Sequence, residues 1–366
     1  MTPALLDDIL GQDRAVETLR AAIASGRVHH AWIFAGPEGV GKRTAAMAFA
    51  AALLDPTTGP DLAGRVNPDP DSKTQHLIAA DAHPDLHVIT KELAAYADDA
   101  RVRNQKHITI AKDVIDARLL GPIKLAPSIR ADSLASKVFI VDEAELLDRS
   151  PTNAPVQNAL LKTLEEPPAG SVLILVTSRE DRLLATVRSR CQRVAFGLVD
   201  DASMRAWLGE HHPELKEAEA EAVLRFASGS PGLARVAAET GIHTWADRLE
   251  PMLADAERGV FPLELGPTMA ELIDSWAAER VAAGEKAGAK PSKDAANRAA
   301  ARHLFRLLSE RARGAVRNAA QRGERDAVDR AARALDRVGD AERQVMSAVQ
   351  PIFALDNLAA GLARSR

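Results

Sequence analysis

Three short runs in the first half of the chain are apolar at consecutive positions: Ala31-Trp-Ile-Phe-Ala35, Val138-Phe-Ile-Val141 after Lys137, and Val172-Leu-Ile-Leu-Val176 between Ser171 and Thr177. A strand apolar on both faces belongs in the middle of a parallel sheet covered by helices. Leu86–Thr90 and Arg193–Phe196 read as two further strands. Between them the period changes to that of a helix. Val16, Leu19, Ala22 and Ile23 share one face of Arg14–Ser25, and Thr44–Leu54, Thr109–Leu120 and Asn158–Glu166 follow, the last stopped by Pro167-Pro168. Alternating strands and helices over about 195 residues predict a doubly wound parallel sheet. From Asp201 the strand signals vanish. Ala202–Gly209, Glu214–Ser228 and Gly232–Thr240 read as short helices, and the chain stays helical from Thr244 onward. Ala94–Lys106 reads as a charged, exposed stretch and Val281–Pro291 as an exposed connection. The predicted class is α/β followed by all-α.

Composition sharpens this picture in a few places. With 366 residues, 46% hydrophobic and 27% charged, the chain is long enough for two or three domains and reads as globular. Aromatics make up 4%, so Ala, Leu and Val must fill the core. A net charge of −4 offers no general attraction to nucleic acid or membrane, so any DNA contact needs a local basic patch. The single cysteine, Cys191, excludes an internal disulfide and suits a reducing cytoplasm. Met1–Leu10 carries Asp7 and Asp8 and no basic start, unlike a signal peptide, and no apolar run is long enough to span a bilayer.

The chemistry concentrates after the first strand. Gly36-Pro-Glu-Gly-Val-Gly-Lys42-Arg43-Thr44 has P-loop spacing. Gly36, Gly39 and Gly41 let backbone N–H groups converge on an anion, the following helix adds the positive end of its dipole, and Lys42 supplies a charge. The next position should carry a hydroxyl for Mg²⁺, yet it is Arg43. Thr44 comes one residue late, a rotation of about 100° around a helix, and is expected to point elsewhere. Asp142 and Glu143 end the second apolar run, where open α/β sheets place their ligands, as acids able to orient Mg²⁺ and polarise a water. The blander reading is that they start a loop.

His29-His30 are expected to pack at the strand's start rather than to catalyse. His76, Asp81, His83, Asp85 and His87 invite a metal reading, but no pair has ligand spacing and Pro84 interrupts them, so no metal and no zinc is expected. Arg298, Arg302, Arg306, Arg313 and Arg317 form a stripe that could touch DNA or an acidic partner. A solvated face paired with the acids of Glu324–Glu342 is the favoured expectation.

Taken with Gly11-Gln12, Arg27-Val-His-His-Ala31, His83-Pro-Asp85, Val141-Asp-Glu-Ala144, Asn158–Pro168 and Arg188-Ser-Arg-Cys-Gln192, the first 240 or so residues resemble the bacterial DNA polymerase III clamp-loader family of the AAA+ class. The resemblance implies an AAA+ P-loop core over 1–198, a helical lid over 199–241 and a helical collar over 242–366. It implies a place in a five-subunit ring that opens a sliding clamp and closes it on primed DNA, within a polymerase holoenzyme and without a membrane. ATP or ADP would lie on Gly36, Gly39, Gly41, Lys42, Arg43, Thr44, Asp142 and Glu143, with Mg²⁺ only if nucleotide is bound. Thr177 would be the sensor 1 residue, and Arg190 would act in trans on a neighbour's nucleotide. Three departures matter: Arg43 itself, Gly232 where the motor subunit has its sensor 2 arginine, and the lack of the four zinc-binding cysteines. The first two point away from the motor subunit and towards one weak or inactive in ATP hydrolysis. The motor subunit or another AAA+ ATPase is the alternative.

Overall fold

In the computed structural model, residues 5–60, 66–103, 108–129, 132–148, 153–288, 291–347 and 351–363 are described. Parts of the predicted segments Ala94–Lys106, Val281–Pro291 and the helical stretch from Thr244, at 104–106, 289–290, 348–350 and 364–366, lie outside them. A 3₁₀ turn at Leu6–Asp8 and α1 (Asp13–Ala24) precede β1 (Ala31–Ala35) and α2 (Lys42–Leu54). A two-residue strand pair, β2 (Gly59–Pro60) with β3 (Val66–Asn67), and α3 (Lys73–Ala79) lead to β4 (Leu86–Ile89). The short helices α4 (Ala100–Arg103) and α5 (Lys112–Ile115) precede β5 (Lys137–Val141), which α6 (Pro155–Glu165), β6 (Ser171–Thr177), α7 (Ala185–Arg188) and β7 (Gln192–Ala195) follow. Strands β4, β5, β6, β1 and β7 pair in that order, every pairing parallel. Ala31 lies opposite Leu173 and Ala35 opposite Thr177, so β1 and β6 end level.

Strand alternation divides the core. Trp32 and Phe34 on β1, Val138 and Ile140 on β5, and Ile174 and Val176 on β6 face one layer, with Phe49 of α2 and Leu19 of α1. Ile33, Phe139, Leu173 and Leu175 face the other, with Leu160 and Leu164 of α6 and Ile115 of α5. Alanines let α2 lie close on the sheet: Ala45, Ala46, Ala48, Ala50, Ala51 and Ala52 are all buried. The predicted doubly wound sheet is therefore present.

Two expectations need correction here. The helix predicted over Thr109–Leu120 starts at Lys112, and its second half, Asp116–Leu120, is a wide turn closed by the Gly121 N–H on the Asp116 carbonyl at 2.9 Å. Gly121-Pro122 end it, since proline cannot supply the next N–H. The connection predicted from Val281 is helical as far as Lys286, because Ala, Glu and Lys are good helix formers.

In the histidine-rich stretch, Asp85, His83 and His87 have partners within the fold. The Asp85 carboxylate accepts from the N–H groups of Ser128 and Ile129 at 2.9 and 2.8 Å, His83 Nδ1 accepts from the Asp85 N–H, and His87 stacks on Phe139. Among the described residues no three metal-ligating side chains converge. His30 Nε2 lies 3.0 Å from the Leu164 carbonyl, and the Trp32 indole donates to the His29 carbonyl.

Met1–Trp207 with Gly229–Gly232 form one unit; Leu208–Ser228 with Leu233–Arg366 form a second. Beyond α8 (Asp201–His211) come α9 (Glu217–Ala227), α10 (Pro231–Thr240), α11 (Trp245–Glu257), α12 (Leu265–Lys286), α13 (Lys293–Arg322), α14 (Arg325–Ser347) and α15 (Pro351–Ala363). No described helix is long and apolar enough to cross a membrane.

Two arginines of the α13 stripe reach the ends of other helices, and a third, Arg313, pairs with Glu310 on its own helix. Arg306 donates to the carbonyls of Phe226 and Ala227 at 2.9 Å each, and Arg298 donates to the Met346 carbonyl at 3.2 Å. Both serve helix C-termini, whose last carbonyls have no partner within their own helix. Sequence spacing shows the stripe but not which helix end crosses it.

Two predictions follow from this packing. Arg306→Ala leaves two helix-end carbonyls of α9 without their donor and should lower unfolding stability by about 1–3 kcal/mol. Exposed Arg302→Ala should change it by no more than about 0.5 kcal/mol. Urea denaturation of the two variants compares them, and equal losses would show that the Arg306 contacts contribute nothing. Cys191 packs against the α6 side of the sheet, and burial pushes its thiol up to about 12. Being raised, it stays a thiol below that pH in the folded chain, so iodoacetamide at pH 8 should label it only after denaturation. Prompt labelling of folded protein would contradict that burial.

Candidate nucleotide site

The loop between β1 and α2 is fixed from both sides. Gly36 follows β1 directly, and a Cβ there would meet the Phe196 carbonyl oxygen at 2.3 Å, so only glycine fits beside the end of β7. Gly39 and Gly41 have φ of 74° and 97°, left-handed values that glycine adopts without strain. Gly41 caps α2, leaving the first N–H groups of the helix pointing into the loop. On the far side Ser230 Oγ donates to the Glu38 carbonyl at 2.9 Å, and the Gly232 N–H donates to the Gly39 carbonyl at 2.8 Å. A Cβ on Gly232 would stand 2.9 Å from Gly39 Cα and O. Gly232 therefore lets the start of α10 rest on the P-loop backbone, while Arg235 is exposed.

Lys42 is 5% exposed and donates to the Gly36 carbonyl at 2.8 Å, the Pro37 carbonyl at 2.5 Å and Ser178 Oγ at 3.1 Å. Burial pulls its ammonium below the ordinary lysine range, while Glu145, Glu38 and Asp142 act to hold it up. Thr44 is exposed, as its rotation around the helix predicts. Thr177 is buried at the end of β6, but its hydroxyl accepts from the Arg179 N–H at 3.0 Å; its neighbour Ser178 is the one that reaches Lys42.

Both acids after β5 are already matched by cations. Arg43 Nη1 lies 3.2 Å from Asp142 Oδ2. Glu143, at φ 51°, forms an ion pair with Lys91, which follows β4. Sequence reasoning missed Lys91 and Ser178. Both sit one or two residues beyond the C-terminal end of a strand of the parallel sheet, Lys91 after the edge strand β4 and Ser178 after β6, and that position was the signal that could have found them. Glu145 is a third acid that sequence reasoning did not single out. One of its oxygens accepts from the Ser178 N–H at 3.2 Å, and the other is buried without a hydrogen-bond partner.

Arg190 stands apart from this cluster. Its guanidinium donates to Glu165 at 2.8 Å and to the Thr186 carbonyl at 2.9 Å, on the surface beyond α6 and α7. Gly11-Gln12 has a structural role: the Gln12 amide exchanges two hydrogen bonds with the Gly197 backbone, at 2.8 and 2.9 Å.

The cradle suits a phosphate, with glycines where a Cβ would clash and a buried lysine at its base. It does not suit Mg²⁺: the position for the metal's hydroxyl is an arginine, and that arginine occupies the acid the metal would need.

The family model for the DNA polymerase III delta subunit matches residues 11–199, just over half the chain. The chain is 32% identical over 202 residues to the DNA polymerase III subunit delta' of Pseudomonas aeruginosa, covering 55% of this chain and 53% of that one. It is 29% identical over 235 residues to the gamma/tau subunit of Mycobacterium tuberculosis, covering 63% of this chain and 36% of that one. It thus spans about half the length of the first relative and about a third of the second. Among solved structures, a DNA polymerase III gamma subunit-related protein from Thermotoga maritima is 16% identical with a TM-score of 0.44, over 96% of this chain and 99% of that one. The Holliday junction branch migration motor RuvB of the same organism is 18% identical with a TM-score of 0.40, over 68% and 67%. With its five-stranded parallel sheet, P-loop and match over 11–199, the chain belongs to the DNA polymerase III delta-subunit family of AAA+ clamp-loader proteins.

Proposed function

We propose that the chain is the delta-prime-like subunit of a bacterial clamp loader, weak or inactive in hydrolysing ATP itself and donating Arg190 to a neighbouring subunit's nucleotide. The observation that carries this reading is the pairing of Arg43 with Asp142, alongside that of Lys91 with Glu143. Hydrolysis needs one acid free to orient the metal and another to polarise water. Here each acid is offset by a protein cation, and freeing either means leaving that cation unpaired. Losing one preorganised contributor costs about 10²–10³ in rate, and here two are engaged elsewhere.

Arg190 suits action in trans. A guanidinium stays protonated and its planar fork pairs bidentately with phosphate oxygens. Glu165 and the Thr186 carbonyl fix its direction without enclosing it, since about a third of the side chain is exposed. In this reading residues 1–198 act as the AAA+ core, 199–241 as the lid and 242–366 as the collar of a hetero-pentameric ring. The ring's other members, the sliding clamp and primed DNA are its partners. A gamma/tau-like motor is the second reading, favoured by the longer stretch of this chain that the gamma/tau relative matches.

The purified chain should show ATP turnover no higher than that of its own Lys42→Ala variant. Robust turnover abolished by Lys42→Ala would make it a motor. In a loader reconstituted with the other subunits, Arg190→Ala should slow clamp- and DNA-stimulated hydrolysis by about 10³ or more without preventing assembly. Lys42→Ala should matter far less. The opposite pattern, Arg190→Ala silent and Lys42→Ala inactive, would assign the arginine a structural role and overturn the proposal.

A further inference from the structure

The disagreement between this site and Mg²⁺ has a consequence for what the P-loop binds. We propose that the Gly36–Arg43 cradle takes the diphosphate of a nucleotide free of divalent metal, with Arg43 serving as the cation in the metal's stead. This rests on the reading of the loop as a phosphate site, and it is separate from whether the chain joins a ring.

Arg43 lies in the first turn of α2, its side chain 58% exposed and tied to Asp142 by one contact at 3.2 Å. It can turn from the carboxylate to phosphate oxygens without unpacking any core residue, and its fork matches them. Lys42 can exchange the carbonyls of Gly36 and Pro37 for phosphate oxygens and stay fully bonded. The N-terminus of α2 adds its dipole. An incoming Mg²⁺ finds the reverse situation. To reach Asp142 it must displace Arg43, which leaves a guanidinium beside a dication. Exposed Thr44 supplies no substitute hydroxyl, and Glu143 is held by Lys91. Free ADP also carries more negative charge than its Mg²⁺ complex and is attracted more strongly by Lys42 and Arg43.

Metal should therefore weaken binding, where in a P-loop with a Ser or Thr after the lysine it strengthens it. The experiment titrates ADP into the full chain by calorimetry, once in EDTA and once in excess Mg²⁺. The expected result is tighter binding in EDTA by roughly tenfold, the size of one partly screened charge contact. In Arg43→Ser the order should reverse, with Mg²⁺ now tightening ADP. Asp142→Asn, which releases Arg43, should keep or improve metal-free binding. Thermal melts matched to the unaltered chain confirm that both variants fold, and the comparison on the unaltered chain decides the question without them. Binding tightened by Mg²⁺ in the unaltered chain overturns the proposal, as does an Arg43→Ser variant that Mg²⁺ still weakens. Loss of metal-free binding in Asp142→Asn overturns it too. Failure of ADP to bind under either condition also overturns it, while leaving the assembly and trans-arginine reading untouched.

Discussion

A parallel sheet whose central strands are buried on both faces governs the first unit. Every residue of β1, β5 and β6 is buried, so helices must cover both sides and each strand must be re-entered from the same end. The C-terminal ends of those strands then fall along one edge. Gly36, Asp142 and Thr177 follow or end strands that lie side by side, although 141 residues of chain separate the first from the last. The site comes from the packing rule before any side chain is chosen. What the side chains decide is its charge.

That charge is internally balanced. Lys42, Arg43 and Lys91 converge near Asp142, Glu143 and Glu145, and two of the acids have a cation of their own. Exposed ion pairs contribute little to stability, and Arg43 is exposed enough to fall in that class. The importance of the pairing is therefore in occupancy rather than in energy. A carboxylate already facing a guanidinium presents a smaller negative field to a dication, and a glutamate facing an ammonium is a poorer base for water. Lys42 differs because it is buried. Three oxygens replace its water shell, so the loop closes on it, with Ser230 and the Gly232 N–H bracing the same backbone from the far side.

Much of this was legible from residue order alone. Consecutive apolar positions gave the buried strands, the glycine spacing gave the cradle, and position 43 announced the missing hydroxyl. What could not be read was the partner of each charge. Nothing local marks Lys91 as the cation for Glu143, because 52 residues separate them and only strand order makes them neighbours. The arginines of α13 show the same limit. Their four-residue spacing identifies one helical face, while the carbonyls that Arg306 serves belong to a helix 80 residues earlier. The residues near Asp85 invite a metal reading because residue types suited to a metal also suit turns; here the Asp85 carboxylate accepts from two backbone N–H groups.

The bracing behind Arg190 contrasts with the setting of Arg43. Asp148 caps the start of α6 by accepting from the N–H groups of Val156 and Gln157. Gln157, wholly buried, grips the backbone on either side of Leu183, accepting from the Leu184 N–H at 2.7 Å and donating to the Arg182 carbonyl at 3.2 Å. Glu165, in the last turn of the same helix, then meets Arg190 itself. One helix thus fixes its own start, the approach to the Ser-Arg-Cys segment and the direction of the guanidinium. An arginine held in this way has already lost much of the rotamer freedom that a free side chain would surrender on meeting a phosphate, so less entropy opposes the contact. Arg43 has no such scaffold and can move between partners. The difference in restraint matches the two roles proposed: a fixed group presented outward to another molecule, and a mobile one that stays within its own site.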